Sequence, residues 1–250
     1  MHPVLFKLGP LTVYTYRTFV FMGVATAYWL SIRDAVRLGL DKDKFSSLFF
    51  WTVIFAFLGA RILYIIVEWK LFIIHPFYIA LSRSGFVFYG GIIGGFIASC
   101  MIIRKYKWDF LKIADIIFLY IPLGHAFGRM GCFSYGCCYG KPTNSWIGML
   151  FPPASPAGFM GVKVIPTQII SAFFLIVIFL ILVYVRKKRK FEGQVFISYF
   201  LLYGIFRFVI EFFRGDPRGY LWILSTSQWI SIIIIITAII LWNRICRIRK

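Results

Sequence analysis

One apolar segment in the last quarter of the chain carries ionisable side chains at helical spacing. Tyr203, Arg207, Glu211 and Arg214 follow one another at intervals of 4, 4 and 3 residues, which puts them on one face of a helix. Glu211 can pair with either arginine, and the group keeps a net positive charge. Guanidinium groups match phosphate oxygens well. This polar stripe is therefore either an anion site ordered by the glutamate or a structural ion-pair cluster.

A second polar group follows a proline and several glycines. His125 and Arg129 lie four residues apart, shortly after Pro122, so both side chains can face one cavity. Proline and repeated glycine predict that the helix breaks here. We interpret Arg129 as an anion-binding residue and His125 as a candidate proton acceptor. The alternative for His125 is a structural side chain beside the helix break.

Two further apolar runs hold candidate binding residues. Arg61 lies within one of them, and Tyr89, Gly90 and Gly91 open the other. Small residues let either a neighbouring helix or a lipid approach the backbone closely. Helix packing and lipid contact therefore both remain open interpretations of the two glycines.

Three of the five cysteines lie close together in the chain: Cys132, Cys137 and Cys138. Five cysteines are too few for a disulfide scaffold. A bridge between adjacent cysteines is strained, so a disulfide would join Cys132 to one of the other two. The alternative is three unpaired thiols.

Apolar helices must position all of these residues. Only 15% of the 250 residues are charged and 60% are hydrophobic, whereas soluble domains carry about 25% charged residues. A helix crosses the hydrocarbon core with about 17–25 mostly apolar residues, and it satisfies its own backbone hydrogen bonds. Seven runs fit: 12–32, 46–67, 86–103, 111–128, 167–185, 194–213 and 224–243. We predict an all-α, polytopic integral membrane helix bundle of about seven transmembrane helices, a single domain with an extracytoplasmic head segment at about 129–166.

Basic side chains alternate between the two ends of these runs. Of the 28 Lys and Arg, 17 lie in the loops after the first, third and fifth runs and in the C-terminal tail, and eight lie on the other side. The positive-inside rule then predicts an outside N-terminus and a cytoplasmic C-terminus. Because topology accounts for the net charge of +19, we expect no nucleic-acid partner.

The ordered motifs of the chain resemble those of the bacterial prolipoprotein diacylglyceryl transferase family. The similarity covers the segments 3–10, 59–64, 89–94, 128–140, 166–168, 203–214 and 227–228. It implies a multi-pass enzyme of the bacterial cytoplasmic (inner) membrane with its site toward the outer face. The implied reaction moves the diacylglyceryl group from phosphatidylglycerol to the lipobox cysteine thiol of a prolipoprotein, forming a thioether. The implied partners are membrane lipid and the prolipoprotein signal peptide, with no metal and no cofactor.

The resemblance also implies roles for the polar residues. Four arginines are expected to bind the donor phosphate, the first two being the main candidates: Arg129, Arg207, Arg61 and Arg214. Five further residues are expected to complete the lipid site: Tyr16, Gly90, Gly91, Tyr203 and Glu211. Preorganised cations stabilise the charge that develops on a leaving phosphate.

The chain departs from the family pattern where a proton acceptor is expected. Tyr89 stands where the family often has histidine, and Cys132 and Cys137 stand where asparagine and an acidic residue are usual. Because only a thiolate is a good nucleophile, some group must take the thiol proton. His125 is the candidate base and Tyr89 the alternative. Two other functions stay open: a relative that binds or moves phospholipid without thiol transfer, and an unrelated channel or transporter.

Overall fold

The computed structural model describes residues 4–9, 11–82, 85–216 and 219–248. Its helices are α1 (Thr15–Arg37), α2 (Lys42–Val67), α3 (Trp69–Ile74), α4 (Pro76–Leu81), α5 (Phe88–Lys105), α6 (Phe110–Tyr135), α7 (Thr167–Lys187), α8 (Gln194–Glu211) and α9 (Thr226–Ile248). Two small antiparallel hairpins pair β1 (Val4–Leu8) with β2 (Leu11–Tyr14) and β3 (Tyr220–Leu221) with β4 (Leu224–Ser225). Several residues used in the sequence arguments lie outside the described ranges: Pro3, Pro10, Arg83, Arg218, Arg249 and Lys250.

Six of the described helices are long and apolar enough to cross a membrane: α1, α2, α6, α7, α8 and α9. The 18 residues of α5 correspond to the remaining predicted run, and they rise about 27 Å against a hydrocarbon core of about 30 Å. Large apolar side chains on these helices face outward, among them Phe21, Phe57, Leu180 and Ile233. The polytopic membrane helix bundle is therefore confirmed, and the number of spans agrees approximately with seven.

The chain forms two compact units. The first comprises Met1–Leu30 and Ala114–Lys250, and the second comprises Ser31–Ile113. In the first unit, α8 packs against both α7 and α9. Close contacts between helices need glycine there, because a Cβ on Gly23 of α1 would lie 2.6 Å from the carbonyl oxygen of Gly124 in α6.

In the second unit, α2 packs along α5. A Cβ on Gly90 would collide with the carbonyl oxygen of Gly59, and one on Gly94 would collide with that of Phe55. The glycine-rich start of α5 therefore lets two backbones approach closely. The structure favours helix packing as the reason for these small residues.

The predicted helix break after Pro122 is wrong. α6 continues through Pro122 as far as Tyr135. Proline removes one backbone donor, but neighbouring groups in a membrane bundle can satisfy the freed carbonyl, so the helix persists. The chain leaves the helix at Gly136, whose φ of 81° suits glycine. Arg129 is consequently a residue of the last turns of α6 instead of a residue at a broken end.

The irregular segment 136–166 is held at the ends of α6, α7 and α8. Its backbone pairs with itself where Met149 bridges Val164, and with the end of α8 where Gly140 bridges Arg214. A small apolar cluster centred on Phe151 and Val164 fills its interior. This segment carries two of the cysteines and fixes them next to the polar stripe of α8.

Candidate functional site

The glutamate of the polar stripe pairs with one particular arginine. Glu211 Oε2 lies 2.6 Å from Arg207 Nη1, and both side chains are largely buried. Ser225 Oγ donates to Glu211 Oε1 at 3.0 Å, and Arg207 Nη2 donates to Ser227 Oγ at 2.9 Å. The end of β4 and the start of α9 thus fix the ion pair of α8. The sequence left Glu211 free to pair with Arg207 or Arg214, and the structure selects Arg207.

Arg214 has a different carboxylate partner. Its Nε and Nη2 donate to the two carboxylate oxygens of Asp216 at 2.7 and 2.8 Å, and its side chain also hydrogen-bonds to Cys138. A buried guanidinium needs such pairing, and Arg214 is only 5% exposed. Asp216 was not among the predicted site residues, although an acidic residue two positions after the arginine was a usable signal. The guanidinium group of Arg214 is already bound to Asp216. The expected role of Arg214 in phosphate binding therefore stays a prediction.

Arg129 has an unused donor. Its Nε is buried and has no hydrogen-bond partner among the described residues. A buried donor without a partner costs about 1–3 kcal/mol and is rare in proteins. A Cβ on the preceding residue, Gly128, would meet nothing within 4 Å, so open space adjoins this part of α6. An arginine in this condition is suited to an anionic ligand.

His125 lies in the same group of side chains. Its ring packs against Tyr203 with centroids 5.6 Å apart, and Tyr203 stacks on Tyr199 at 5.5 Å. Arg129 and Arg207 are the charged residues that act on its ring. The structure therefore brings together four predicted site residues: His125, Arg129, Tyr203 and Arg207.

Tyr16 joins this group from α1. A Cβ on Gly131 would lie 3.1 Å from the Tyr16 ring, so α1 and α6 touch at this point. The Tyr16 hydroxyl is within electrostatic range of Arg129 and of the three cysteines. Tyr16 is therefore close both to Arg129 and to the three cysteines.

The three cysteines form a cluster of free thiols. The sulfurs of Cys132, Cys137 and Cys138 all lie within 4.8 Å of one another, and each side chain is half-buried. The sequence left open a disulfide or three unpaired thiols, and the structure has the three thiols unpaired. Hydrogen bonds from Cys132 and Cys137, followed by one from Arg214, lower the pKa of Cys138. We call these three residues the thiol cluster.

Two buried side chains hold the backbone of the thiol cluster. Thr167 Oγ1 donates to the carbonyl oxygen of Cys138 at 2.7 Å, and Gln168 Nε2 donates to that of Cys137 at 2.8 Å. Both residues begin α7 and are at most 1% exposed. The positions of the thiols are therefore set by the fold and not by a mobile loop.

In the second unit, Arg61 binds the last turn of α4 and the segment that follows it. Its guanidinium donates to the carbonyl oxygens of Ile79, Ala80 and Gly85, and to Ser82 Oγ at 3.0 Å. These contacts give Arg61 a structural task. Its proposed part in lipid binding stays a prediction.

Tyr89 lies in the first turn of α5 with half of its surface exposed. Gly90 and Gly91 next to it face the backbone of α2, where a Cβ on Gly91 would lie 3.3 Å from the Ala56 carbonyl oxygen. The contacts explain the glycines by packing. Lipid binding at Tyr89, Gly90 and Gly91 stays a prediction.

Comparison with known proteins assigns the chain to a family. The sequence profile of prolipoprotein diacylglyceryl transferase matches residues 3–244. The phosphatidylglycerol–prolipoprotein diacylglyceryl transferase of Clostridium tetani is 41% identical over 251 residues, which covers 100% of both chains. The enzyme called phosphatidylglycerol–prolipoprotein diacylglyceryl transferase 2 of Clostridium perfringens is 41% identical over 97% of this chain and 95% of its own, and the corresponding protein of Finegoldia magna is 36% identical over 96% and 94%. The chain belongs to the prolipoprotein diacylglyceryl transferase family.

Proposed function

We propose that this protein transfers the diacylglyceryl group of phosphatidylglycerol to the lipobox cysteine thiol of prolipoproteins, the first step of lipoprotein maturation. Full-length similarity to relatives named for phosphatidylglycerol and prolipoprotein supports both substrates. One structural observation carries the assignment to particular residues. The buried, unpartnered Nε of Arg129 lies in a group with Arg207 and His125.

The donor phosphate binds to Arg129 and Arg207. Arg207 is already oriented by Glu211 and Ser227, so it needs little rearrangement when the lipid arrives. Two guanidinium groups and one carboxylate leave one net positive charge for the phosphate diester. Such preorganised charge in a site shielded from water contributes more to catalysis than flexible charge in solvent.

The transfer is a displacement at the glycerol carbon that carries the phosphate. The acceptor sulfur donates an electron pair to this carbon and forms the C–S bond. The C–O bond breaks, and its electron pair leaves with the oxygen of glycerol phosphate. Arg129 and Arg207 stabilise the additional charge on this leaving group.

The acceptor thiol must lose its proton before it attacks. We assign the proton to His125, whose imidazole is the side chain with an unperturbed pKa nearest to neutral pH. A bound phosphate would offset the positive charge that a protonated imidazole adds beside Arg129 and Arg207. Tyr89 is the alternative acceptor.

We further propose that the enzyme lies in the bacterial cytoplasmic membrane with its N-terminus outside and its C-terminus in the cytoplasm. The distribution of 17 against eight basic residues supports this orientation. The head segment and the phosphate site would then face the compartment in which exported prolipoproteins present their lipobox.

The direct test uses the purified chain in vesicles of phosphatidylglycerol with a synthetic lipobox peptide. Mass spectrometry should show a peptide gain of one diacylglyceryl group, and free glycerol phosphate should appear in equal amount. Vesicles of phosphatidylcholine and a peptide with serine in place of cysteine are the matched controls, and neither should react. Lipid binding by a folded protein that never forms the thioether would instead support a phospholipid-binding relative.

A further inference from the structure

The thiol cluster has the geometry of a metal site. Three sulfurs within 4.8 Å of one another have a common point no more than about 2.8 Å from each, and Zn–S bonds are about 2.3 Å long. Contraction of a few tenths of an ångström per sulfur therefore gives full coordination. Thiolates are the ligands that select zinc and other soft ions.

The number of ligands indicates which kind of zinc site this is. Within the part of the chain that the structure describes, the cluster contains three ligand residues and no histidine, aspartate or glutamate joins them. Structural zinc sites have four protein ligands, whereas catalytic sites have three and keep the fourth position for a reacting group. The thiol cluster matches the second pattern.

The surroundings of the cluster are suited to such an ion. Zn²⁺ with three thiolates carries one net negative charge, and the guanidinium of Arg214 hydrogen-bonds to the sulfur of Cys138. The cluster is also next to the phosphate site. Cys132 lies three residues after Arg129 on α6, and the charge of Arg129 acts on it directly.

We propose that Cys132, Cys137 and Cys138 bind a zinc ion whose open fourth position takes the cysteine thiol of the acceptor. This inference rests on the proposed transfer reaction and names the group that activates its nucleophile.

The acceptor thiol binds zinc through sulfur and loses its proton to water, which passes it to His125, because a metal-bound thiol is deprotonated. The thiolate then forms the C–S bond as the glycerol C–O bond breaks toward phosphate. The neutral thioether is a weaker ligand than a thiolate, so water replaces it on the ion.

The size of the expected effect follows from ionisation. A free thiol with a pKa of about 8.5 is only about 3% thiolate at pH 7, so complete ionisation on zinc is worth at most about thirty-fold in rate, because a thiolate of lower pKa is a weaker nucleophile. Removal of zinc from the folded protein by a chelator should therefore lower transfer by at most about thirty-fold, and added zinc should restore it.

The first measurement is the metal content of the full-length protein purified without added metal. Elemental analysis should find about one zinc per chain. The single variants C132S, C137S and C138S should each lose it, while C100S, a substitution in α5 of the second unit, should keep it. Circular dichroism checks that each variant is folded, and the chelator experiment on the unaltered protein does not depend on any substitution. Absence of zinc, copper in its place, or a disulfide among these cysteines would overturn the proposal.

The second measurement isolates acceptor binding from catalysis. The zinc-free protein is loaded with Co²⁺, whose thiolate charge-transfer absorption reports the number of bound sulfurs. A lipobox peptide with cysteine should increase this absorption in the absence of donor lipid, and the serine peptide should not. An unchanged spectrum with the cysteine peptide would refute the role in activation. A zinc-free protein that forms the thioether at the full rate would refute the inference while leaving the proposed function intact. A cobalt response to the cysteine peptide without any thioether formation would support the metal site and refute the proposed function.

Discussion

The two arginines assigned to the donor phosphate differ in how they are held. Arg207 is fixed by Glu211 and Ser227, whereas Arg129 keeps a buried Nε without a partner in the described structure. The held arginine provides a rigid charge, and the unsatisfied one gains a hydrogen bond only when a ligand arrives. Arg129 is therefore the residue at which loss of the side chain should affect the reaction most and the fold least.

We expect Arg129→Ala to lower the transfer rate by about 10²–10³-fold, the usual effect of removing one preorganised donor. Arg129→Lys should rescue poorly, because an ammonium is a point charge without a planar fork. The assay is thioether formation with phosphatidylglycerol vesicles, and Arg37→Ala, an exposed arginine at the end of α1, is the control. Near-normal turnover by folded Arg129→Ala would remove this residue from the site.

We expect His125→Ala to slow transfer by about 10²–10⁴-fold, the worth of a positioned acid–base group, with little change in binding of the donor lipid. The ring of His125 also packs on Tyr203, so loss of packing must be separated from loss of the base. His125→Asn makes this separation, since it keeps a polar side chain but cannot accept the proton. Turnover of His125→Asn within about twofold of the unaltered enzyme would show that His125 is structural.

For the helices, sequence patterns predicted which polar side chains share a face of one helix. They did not predict the contacts between one element and another. The spacing of Arg207 and Glu211 gave their shared face, because both belong to α8. Asp216 lies only two residues after Arg214, so the sequence alone could have suggested this pair. Ser225 was missed as a partner of Glu211, because contacts between elements depend on packing that no local pattern encodes. The continuity of α6 through Pro122 was missed for the same reason, since the neighbours that satisfy its backbone come from elsewhere in the fold.

The glycines of α5 give a test of this packing. A Cβ on Gly94 would collide with the carbonyl oxygen of Phe55, whereas one on Gly95 would make ordinary contacts at 3.5 Å. We expect Gly94→Ala to destabilise the protein by about 1–3 kcal/mol, as overpacking does, and Gly95→Ala to have little effect. Thermal unfolding in detergent compares the two. Equal stability of both variants would contradict the tight contact between α2 and α5.

Across the whole molecule, the last turns of the long helices differ in whether they carry basic side chains. The last turns of α1, α5, α7 and α9 contain basic residues, and those of α2, α6 and α8 contain none. The helix dipole favours cations at every C-terminal end, so it does not explain the alternation. The positive-inside rule would explain it if successive helices end on opposite sides of the membrane, as the proposed orientation has them.

The proposed orientation can be tested loop by loop. Reporter fusions should place the loops around residues 75 and 150 outside and the basic loop Arg186–Lys190 inside. Alkaline phosphatase is active only outside the cytoplasm. Green fluorescent protein fluoresces in the cytoplasm and does not fluoresce after export through the general secretory pathway. The two reporters therefore give opposite signals at each fusion point. Fusions after residues 40 and 107 serve as controls, because both loops follow helices with basic last turns and should be cytoplasmic. A cytoplasmic signal at residue 150 would put the thiol cluster and the end of α6 on the wrong side for exported acceptors. The proposed orientation and the outward-facing site would then both be untenable, while the helix packing described here would stand.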